Sequence, residues 1–448
     1  MKNVMNSIWN LMKLSAFIFP LSVFVSCSQE EFLPQETTTL QFVVSDFPMF
    51  GEGIQTRVIG TQDEGKTAWE NDDQIIVTLI SKKYGEQAVA LTYDGSSWST
   101  EASLSYLENE TPTITAVYAP DCEIKEGQIA LQDGKQYGEA EYILARTTIS
   151  ENSLDINFES GRTYSRLRIA GLANQTLTVT TTDFTPAGAT EVATDAYTLT
   201  TDNNGNAFLY GVFAEGATVS VKQGDITLKD YTFSAEKNPN GTEYNKSYAL
   251  DATPVIDGTL GGKAEATAAE VETLVQQLKD YVDNGITTII VPGSKSAIIE
   301  VDGIVLPAVS EAIYRLSKDE SYNGKIDLIL PDVTEIFDQE FHSARALNSI
   351  TLPKVTNLAD QAFYGTLYLR TITFGSVITE VNELGAIFNQ VGYNVGGCDL
   401  ILNCGQMNES NVPAPDLTNN IWKFKFENEF KSITLTHTGE CDECKANQ

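Results

Sequence analysis

Asp327-Leu328-Ile329-Leu330-Pro331-Asp332-Val333-Thr334 returns as Ser349-Ile350-Thr351-Leu352-Pro353-Lys354-Val355-Thr356, and more loosely as Thr371-Ile372-Thr373-Phe374-Gly375-Ser376-Val377-Ile378. The step is constant and holds for Leu328/Ile350/Ile372, Leu330/Leu352/Phe374 and Val333/Val355/Val377. The first two copies also agree at Ile336/Leu358, Asp338/Asp360, Gln339/Gln361, Phe341/Phe363 and Leu347/Leu369. A fixed period in the twenties around an L-x-L core is the mark of a solenoid, whose units bury their apolar faces only against one another. In such a strand the two large apolar residues point inward, and the residues between and before them point out. Ile329, Thr351 and Thr373 are therefore expected in one exposed column, with Asp327, Ser349 and Thr371 beside it. With strands about 4.8 Å apart, these columns would form a flat patch of hydroxyls with one apolar edge at Ile329. Short hydroxyl side chains lose little entropy on binding and suit a polar, repetitive target such as a glycan or an extended peptide. The same residues would also serve a merely solvated strand through β-propensity.

The pattern L-x-L-P-x-V-T-x-I-x-D-Q-x-F resembles leucine-rich repeats of the BspA type. Two degenerate units follow, at Leu400-Ile401-Leu402 and at Phe430-Lys431-Ser432-Ile433-Thr434-Leu435, so the resemblance covers about residues 325–436. It implies a scaffold for binding surfaces and no catalytic role. Upstream, Thr267-Ala268-Ala269-Glu270 is a capping box. Val271, Leu274, Val275, Leu278, Tyr281 and Val282 then fall on one helical face until Gly285 stops it. This helix is expected to cover the open end of the solenoid. Ile289-Ile290-Val291-Pro292 suits a first atypical repeat strand, and Val309, Ile313 and Leu316 mark a second short helix. Thr253 to Gly262 reads as a linker by its glycines and proline. Gly258 to Lys263 lacks the spacing of a phosphate loop.

Between about Glu36 and Asp251 the chain reads as strand after strand. Gln41-Phe42-Val43-Val44, Gln74 to Ile80, Ala88 to Tyr93 and Ile114 to Tyr118 are short and rich in β-branched and aromatic residues, with turn clusters such as Asp94 to Ser97 between them. This length and pattern predict two β-sandwiches, with a seam near Ile149-Ser150-Glu151. Thr56-Arg57 followed by Trp69-Glu70-Asn71-Asp72-Asp73-Gln74-Ile75-Ile76-Val77 resembles the opening of fimbrillin-type proteins. Trp98, Tyr118-Ala119-Pro120, Ile156-Asn157-Phe158, Tyr164 to Ile169, and Gly241-x-x-Tyr244 before Tyr248 occur in that family's order, although Glu159 stands where a His is common. The resemblance implies a pilus stalk, tip or anchor, or a surface adhesin. In similar pilins an arginine-specific protease cuts at the position of Arg57, which makes Arg57 a candidate processing site; in others Thr-Arg is only an early-strand landmark. Trp69, Trp98 and Tyr118 read as core anchors, and Asp202 to Asn206 as a hairpin turn, since it lacks the bidentate Glu of a calcium loop.

Before Cys27 the only charges are Lys2 and Lys13, followed by the apolar run Leu14 to Val25, the form of a secretory signal. The run is too short to span a bilayer. Phe24-Val25-Ser26-Cys27 resembles a bacterial lipobox, with Phe24 where Leu is usual. The resemblance makes Cys27 the lipidated mature N-terminus, and Ser28-Gln29-Glu30-Glu31 is similar to tags that send lipoproteins to the outer face of the outer membrane. Loss of the leader leaves 61 acids against 27 bases, a formal charge of −34. That charge disfavours nucleic acid and anionic lipid as partners.

Of the six cysteines, Cys122, Cys398, Cys404, Cys441 and Cys444 would remain as thiols. If Asp399 to Asn403 is a strand, Cys398 and Cys404 stand ~20 Å apart, too far for a mutual disulfide. Cys441-Asp442-Glu443-Cys444 lacks both the second ligand pair of a zinc site and a helix N-terminus to activate a thiol. Two histidines, His342 and His437, leave little for His-based catalysis. No metal or cofactor motif is present, and none is expected to be needed.

The sequence thus predicts a mainly β protein with a C-terminal α/β solenoid: a signal (1–26), two fimbrillin-like sandwiches (27–150 and 151–252), a linker (253–265), a leucine-rich repeat domain (266–436) and a polar tail (437–448). The expected role is non-enzymatic: a lipid-anchored adhesin facing the cell exterior that binds a host or neighbouring-cell protein or glycan. A fimbrial accessory, anchor or tip subunit that joins other pilus subunits is one alternative. A surface protein that binds or cleaves glycans is another, because a glycosidase carboxylate pair has no fixed spacing. Two acyl chains on Cys27, at about 0.8 kcal/mol per buried CH₂, would suffice for stable anchoring. Metabolic labelling with a fatty-acid probe should mark the wild type and not Cys27→Ser; equal labelling of both would exclude the anchor.

Overall fold

The computed structural model describes residues 40–50, 66–107, 110–151, 153–192, 196–234, 236, 240–381, 387–403 and 430–436. The chain is mainly β, with two α-helices among the described residues. A five-stranded antiparallel sheet runs in the order Trp98–Ser99, Gly85–Tyr93, Gln74–Ser81, Thr113–Tyr118, Ile143–Leu144. Against it lies a smaller sheet with Ser153–Asn157 at its centre, parallel to Gln41–Val44 and antiparallel to Arg146–Ser150. Period-2 alternation drives Ile75, Val77 and Leu79 from one sheet and Leu154 and Ile156 from the other into one core. At its centre Trp69 stands edge-on to Phe47 and Trp98 (both 4.9 Å between ring centres) and to Tyr118 (5.2 Å), and its indole N–H donates to the Ser45 carbonyl (2.8 Å).

The position expected as a seam, Ile149-Ser150-Glu151, is the end of a hairpin strand and its turn, with Ile149 and Ser150 paired to Leu154 and Ser153. The first core continues past it to Phe158 and Tyr164, because Ser153–Asn157 supplies the inner strand on which Gln41–Val44 depends. A second pair of sheets begins at Ser165. One has the order Phe184–Pro186, Asn206–Phe213, Ser165–Ala170, Ser247–Asp251, and the other Ala196–Thr200, Thr176–Thr181, Thr218–Gln223, Ile226–Thr232. Phe184, Phe213 and Phe233 stack through their shared core at 4.3 and 4.8 Å. Gly241 has φ +73°, and a Cβ there would overlap the Phe213 carbonyl, so the position demands glycine. Asp202 closes its turn by accepting the N–H groups of Asn204 and Asn206, both at 2.8 Å.

The C-terminal half is built on a six-stranded parallel sheet in chain order: Thr288–Ile290, Ile326–Ile329, Leu347–Leu352, Thr371–Phe374, Cys398–Asn403 and Phe430–Thr436. A second parallel ladder joins Glu335–Ile336, Asn357–Leu358 and Glu380–Val381 on the return of each unit. Between the two lies a core that includes Leu328, Ile350, Ile372, Leu400 and a stack of Phe341, Phe363 and Phe388 at 5.6 and 5.7 Å. Helix α1 (Ala268–Asp283) opens with the reciprocal Thr267/Glu270 box and buries Val271, Leu274, Leu278 and Tyr281 in this core. Helix α2 (Ala308–Lys318) packs beside it through Val309, Ile313 and Leu316.

Two sequence readings need correction here. Thr253 to Gly262 is no free linker: Ile256 is fully buried, its N–H donates to the Ile290 carbonyl (2.9 Å), and a Cβ on Gly258 would collide with Ser296 and Val291. Its glycine serves close packing, which composition does not distinguish from flexibility. In the third unit the period slips by one position after Gly375. Thr356 N–H bonds back to the Thr334 carbonyl in the regular step, but it is Thr379 N–H that reaches the Thr356 carbonyl in the next. Ile378 and not Val377 therefore takes the fully buried place of Val355.

Candidate functional site

The parallel register sets the expected columns side by side. Asp327 is opposite Ser349, Ser349 opposite Thr371, and Thr371 opposite Asp399; Ile329, Thr351, Thr373 and Ile401 form the next row. The last strand extends the rows with Ser432 and Thr434. The six expected side chains are half-buried, while Leu328, Ile350 and Ile372 between them face the core.

The face is less free than the sequence suggests. Asp327 accepts from the Ser349 hydroxyl (2.6 Å) and from the Asn348 side-chain amide (2.7 Å). At the far end Asp399 accepts from the Ser432 hydroxyl (2.7 Å) and lies 3.5 Å from the Lys431 ammonium. Hence Ser349 is held by its neighbour, and the central part is Thr351, Thr371 and Thr373 between two aspartates and two isoleucines. Asp399 and Ile401 complete the rows, although the sequence reading did not include them. The repeated triplet Asp327-Leu328-Ile329 and Asp399-Leu400-Ile401 carries the signal that would have found them. Cys27 and Arg57 lie outside the described residues, as do Cys404, Cys441 and Cys444. Cys122 and Cys398 are buried free thiols in separate cores, and burial pushes the Cys398 thiol up to about 12.

A second feature lies on the other side of the sheet, where the sequence gives no sign of it. The loops Thr259 to Ala264 and Ser294 to Ser296, the start of α2 and the inward face of Leu328 and Leu330 line a cavity of about 800 Å³ that is partly open to solvent. Glu340 lines it at 3 % exposure, accepting from the Ser310 hydroxyl (2.8 Å) and from the Phe337 N–H (2.9 Å). Among the described residues no lysine, arginine or histidine forms an ion pair with it. Burial, aided by the charge of nearby Glu335, raises its carboxyl from the usual 4.5 to about 7.

No family model matches the chain, and no curated protein matches it. Among solved structures it is similar to a proposed cell adhesion protein from Bacteroides ovatus ATCC 8483, with TM-score 0.28 and 14% identity over 49% of this chain and 92% of that one. A fimbrial protein from the same strain gives TM-score 0.23 and 9% identity over 48% of this chain and about half of that protein, 49%. A shaft pilin from Lactobacillus rhamnosus GG gives 0.16 and 12% over 41% and 93%. TM-scores in this range do not establish a shared fold. No helix among the described residues is long and apolar enough to cross a membrane.

The Glu340 carboxyl makes stability depend on pH. The folded state holds this proton more tightly than the unfolded chain, so stability falls as pH rises from about 4.5 to about 7 and is level above. The shift corresponds to a loss on the order of 3 kcal/mol. Glu340→Gln should flatten this part of a urea-denaturation pH profile, gaining on wild type at pH 8 (about one unit above the titration) relative to acid. An unchanged profile would show that Glu340 titrates normally.

Proposed function

We propose that this protein is a cell-surface adhesin, anchored by lipid at Cys27, that binds its target through the outward face of C-terminal leucine-rich repeats. The observation that carries this reading is the in-register row Ile329, Thr351, Thr373, Ile401 beside Asp327, Ser349, Thr371, Asp399. A row of short side chains at strand spacing matches a ligand that is itself periodic, such as a glycan chain or an extended peptide. The strong negative charge favours an exterior, soluble surface and weighs against polyanionic targets. The fimbrillin-like motifs around Trp69, Tyr118 and Tyr164 support two sandwiches that present the repeats away from the membrane, divided near Ser165 in place of the 150/151 boundary. Replacing Thr351 and Thr373 together by Lys should abolish adhesion to host or neighbouring cells with little change in the melting curve, because both positions are half-exposed. Adhesion that survives the double change would move the binding surface to the sandwiches.

One observation favours a pilus subunit as the second reading. Among the described residues Gln41–Val44 is an edge strand paired only to Ser153–Asn157, and Leu40, Phe47 and Phe50 beside it fill the first core. Cleavage after Arg57 would allow that whole segment to leave, exposing an apolar groove and an unpaired edge that a strand from another subunit could complete. It would also separate the chain from its lipid. N-terminal sequencing of protein from native cells decides between the readings: a start at Cys27 excludes the cut, and a start at Val58 supports the pilus.

A further inference from the structure

The cavity at the head of the parallel sheet is independent of the proposed adhesive face, since the two lie on opposite sides of the same strands. Its walls are mostly aliphatic and aromatic: Val291, Ile298, Val309, Leu328, Leu330 and Phe337. A recess of about 800 Å³ is far more than a packing defect and falls in the range of small-molecule sites. The group that sets its polarity is Glu340, the one buried carboxyl among the lining residues.

The remaining charges leave that carboxyl without compensation. Lys263 is held by Glu270, which also belongs to the α1 capping box, and Lys295 and Glu335 are exposed at the rim. Glu311 on α2 is paired with Arg315 one turn on (2.7 Å). The Ser310 hydroxyl and the Phe337 N–H fix the orientation of Glu340 but bring no positive charge. A carboxyl aimed into an apolar space, with its cationic partner missing, is the complement of an ammonium group on an apolar body.

We propose that this cavity binds a small organic amine, with its ammonium group paired to the Glu340 carboxylate and its hydrocarbon body against Leu328, Leu330 and Val291. Binding supplies the counter-charge that the fold lacks, so the ligand holds the carboxyl ionised. Chain length and branching are selected by the aliphatic walls, and the hydroxyls of Ser294 and Ser296 among the lining residues accommodate polar substituents.

The test compares hexylamine with hexan-1-ol, nearly the same in shape but uncharged, by titration calorimetry on the purified chain at about pH 8, where the amine is protonated and Glu340 is mostly ionised. The amine should bind at least about tenfold more tightly than the alcohol. Glu340→Gln should lower amine affinity by about tenfold and leave the alcohol unchanged. Val333→Trp, which fills the cavity from its wall, should remove binding of both. Equal affinity for the two compounds, binding of neither, amine binding that survives Val333→Trp, or amine binding unchanged in a folded Glu340→Gln variant would each overturn the proposal. If the Gln variant does not fold, the amine-to-alcohol ratio on the unaltered chain and the Trp variant decide it.

Discussion

Two parallel strands cannot be joined by a tight turn; the chain must leave the sheet, cross and return to the same edge. In the C-terminal half every pairing of the main sheet is parallel and sequential, so each strand obliges a full circuit before the next. That circuit is the period of the repeat. Because side chains alternate, a slip of one position within a strand would turn Ile350 and Leu352 out and Thr351 in. The match of Leu328 to Ile350 to Ile372 is therefore enforced by burial. The aromatic stack of Phe341, Phe363 and Phe388 closes the circuits from the other side. The step from Phe363 to Phe388 is longer than that from Phe341 to Phe363, as the step from Ile372 to Leu400 is longer than that from Ile350 to Ile372 in the main sheet.

The strands at Leu328, Ile350 and Ile372 were legible because the step between them is constant where inward side chains meet their counterparts. The slip at Val377 was not, because it falls between the strand and the return ladder, where a single insertion moves no strand out of register. The hairpin at Ile149 to Glu151 was invisible for another reason. Gln41–Val44 joins Ser153–Asn157 from far along the chain, and no local pattern announces a long-range parallel pairing. The expected seam followed a turn signal that was real but lay inside one sandwich.

The two candidate sites differ in the same way. The outward columns follow from alternation alone, so all six side chains are legible in the sequence. The internal hydrogen bond from Ser349 to Asp327 is not, since either residue looks equally solvated in isolation. The cavity has no sequence signature. Part of its wall comes from the inter-strand segment around Ser294, the Thr259 to Ala264 loop and the start of α2, all outside the repeat, and Glu340 sits at a repeat position where the second unit has Ala362. Where the strict unit carries a small apolar residue, the first circuit substitutes a carboxyl, and this is the circuit that borders α2.

The position of that circuit at the start of the sheet is not incidental. A parallel sheet ends in strands whose outer N–H and C=O groups have no further neighbour, and an open edge invites association. Here Pro254 to Ile256 lies along Thr288–Ile290, with the Ile256 N–H bonded to the Ile290 carbonyl, and α1 and α2 bury the adjoining apolar surface. These elements do not repeat, so they cannot reproduce the side-chain row that each regular circuit presents to the next. Ile289 still stands in register beside Leu328, but the space behind Leu328 and Leu330 is bounded by the loops around Thr259 and Ser294 and by the start of α2 instead of another strand-and-turn unit. A capped end can satisfy its backbone and still leave volume unfilled, because hydrogen bonding along an edge constrains the main chain, whereas filling the space behind it depends on side-chain shape. The unfilled volume and the departure from the repeat at Glu340 thus have one physical origin, the junction between a periodic stack and an aperiodic cap.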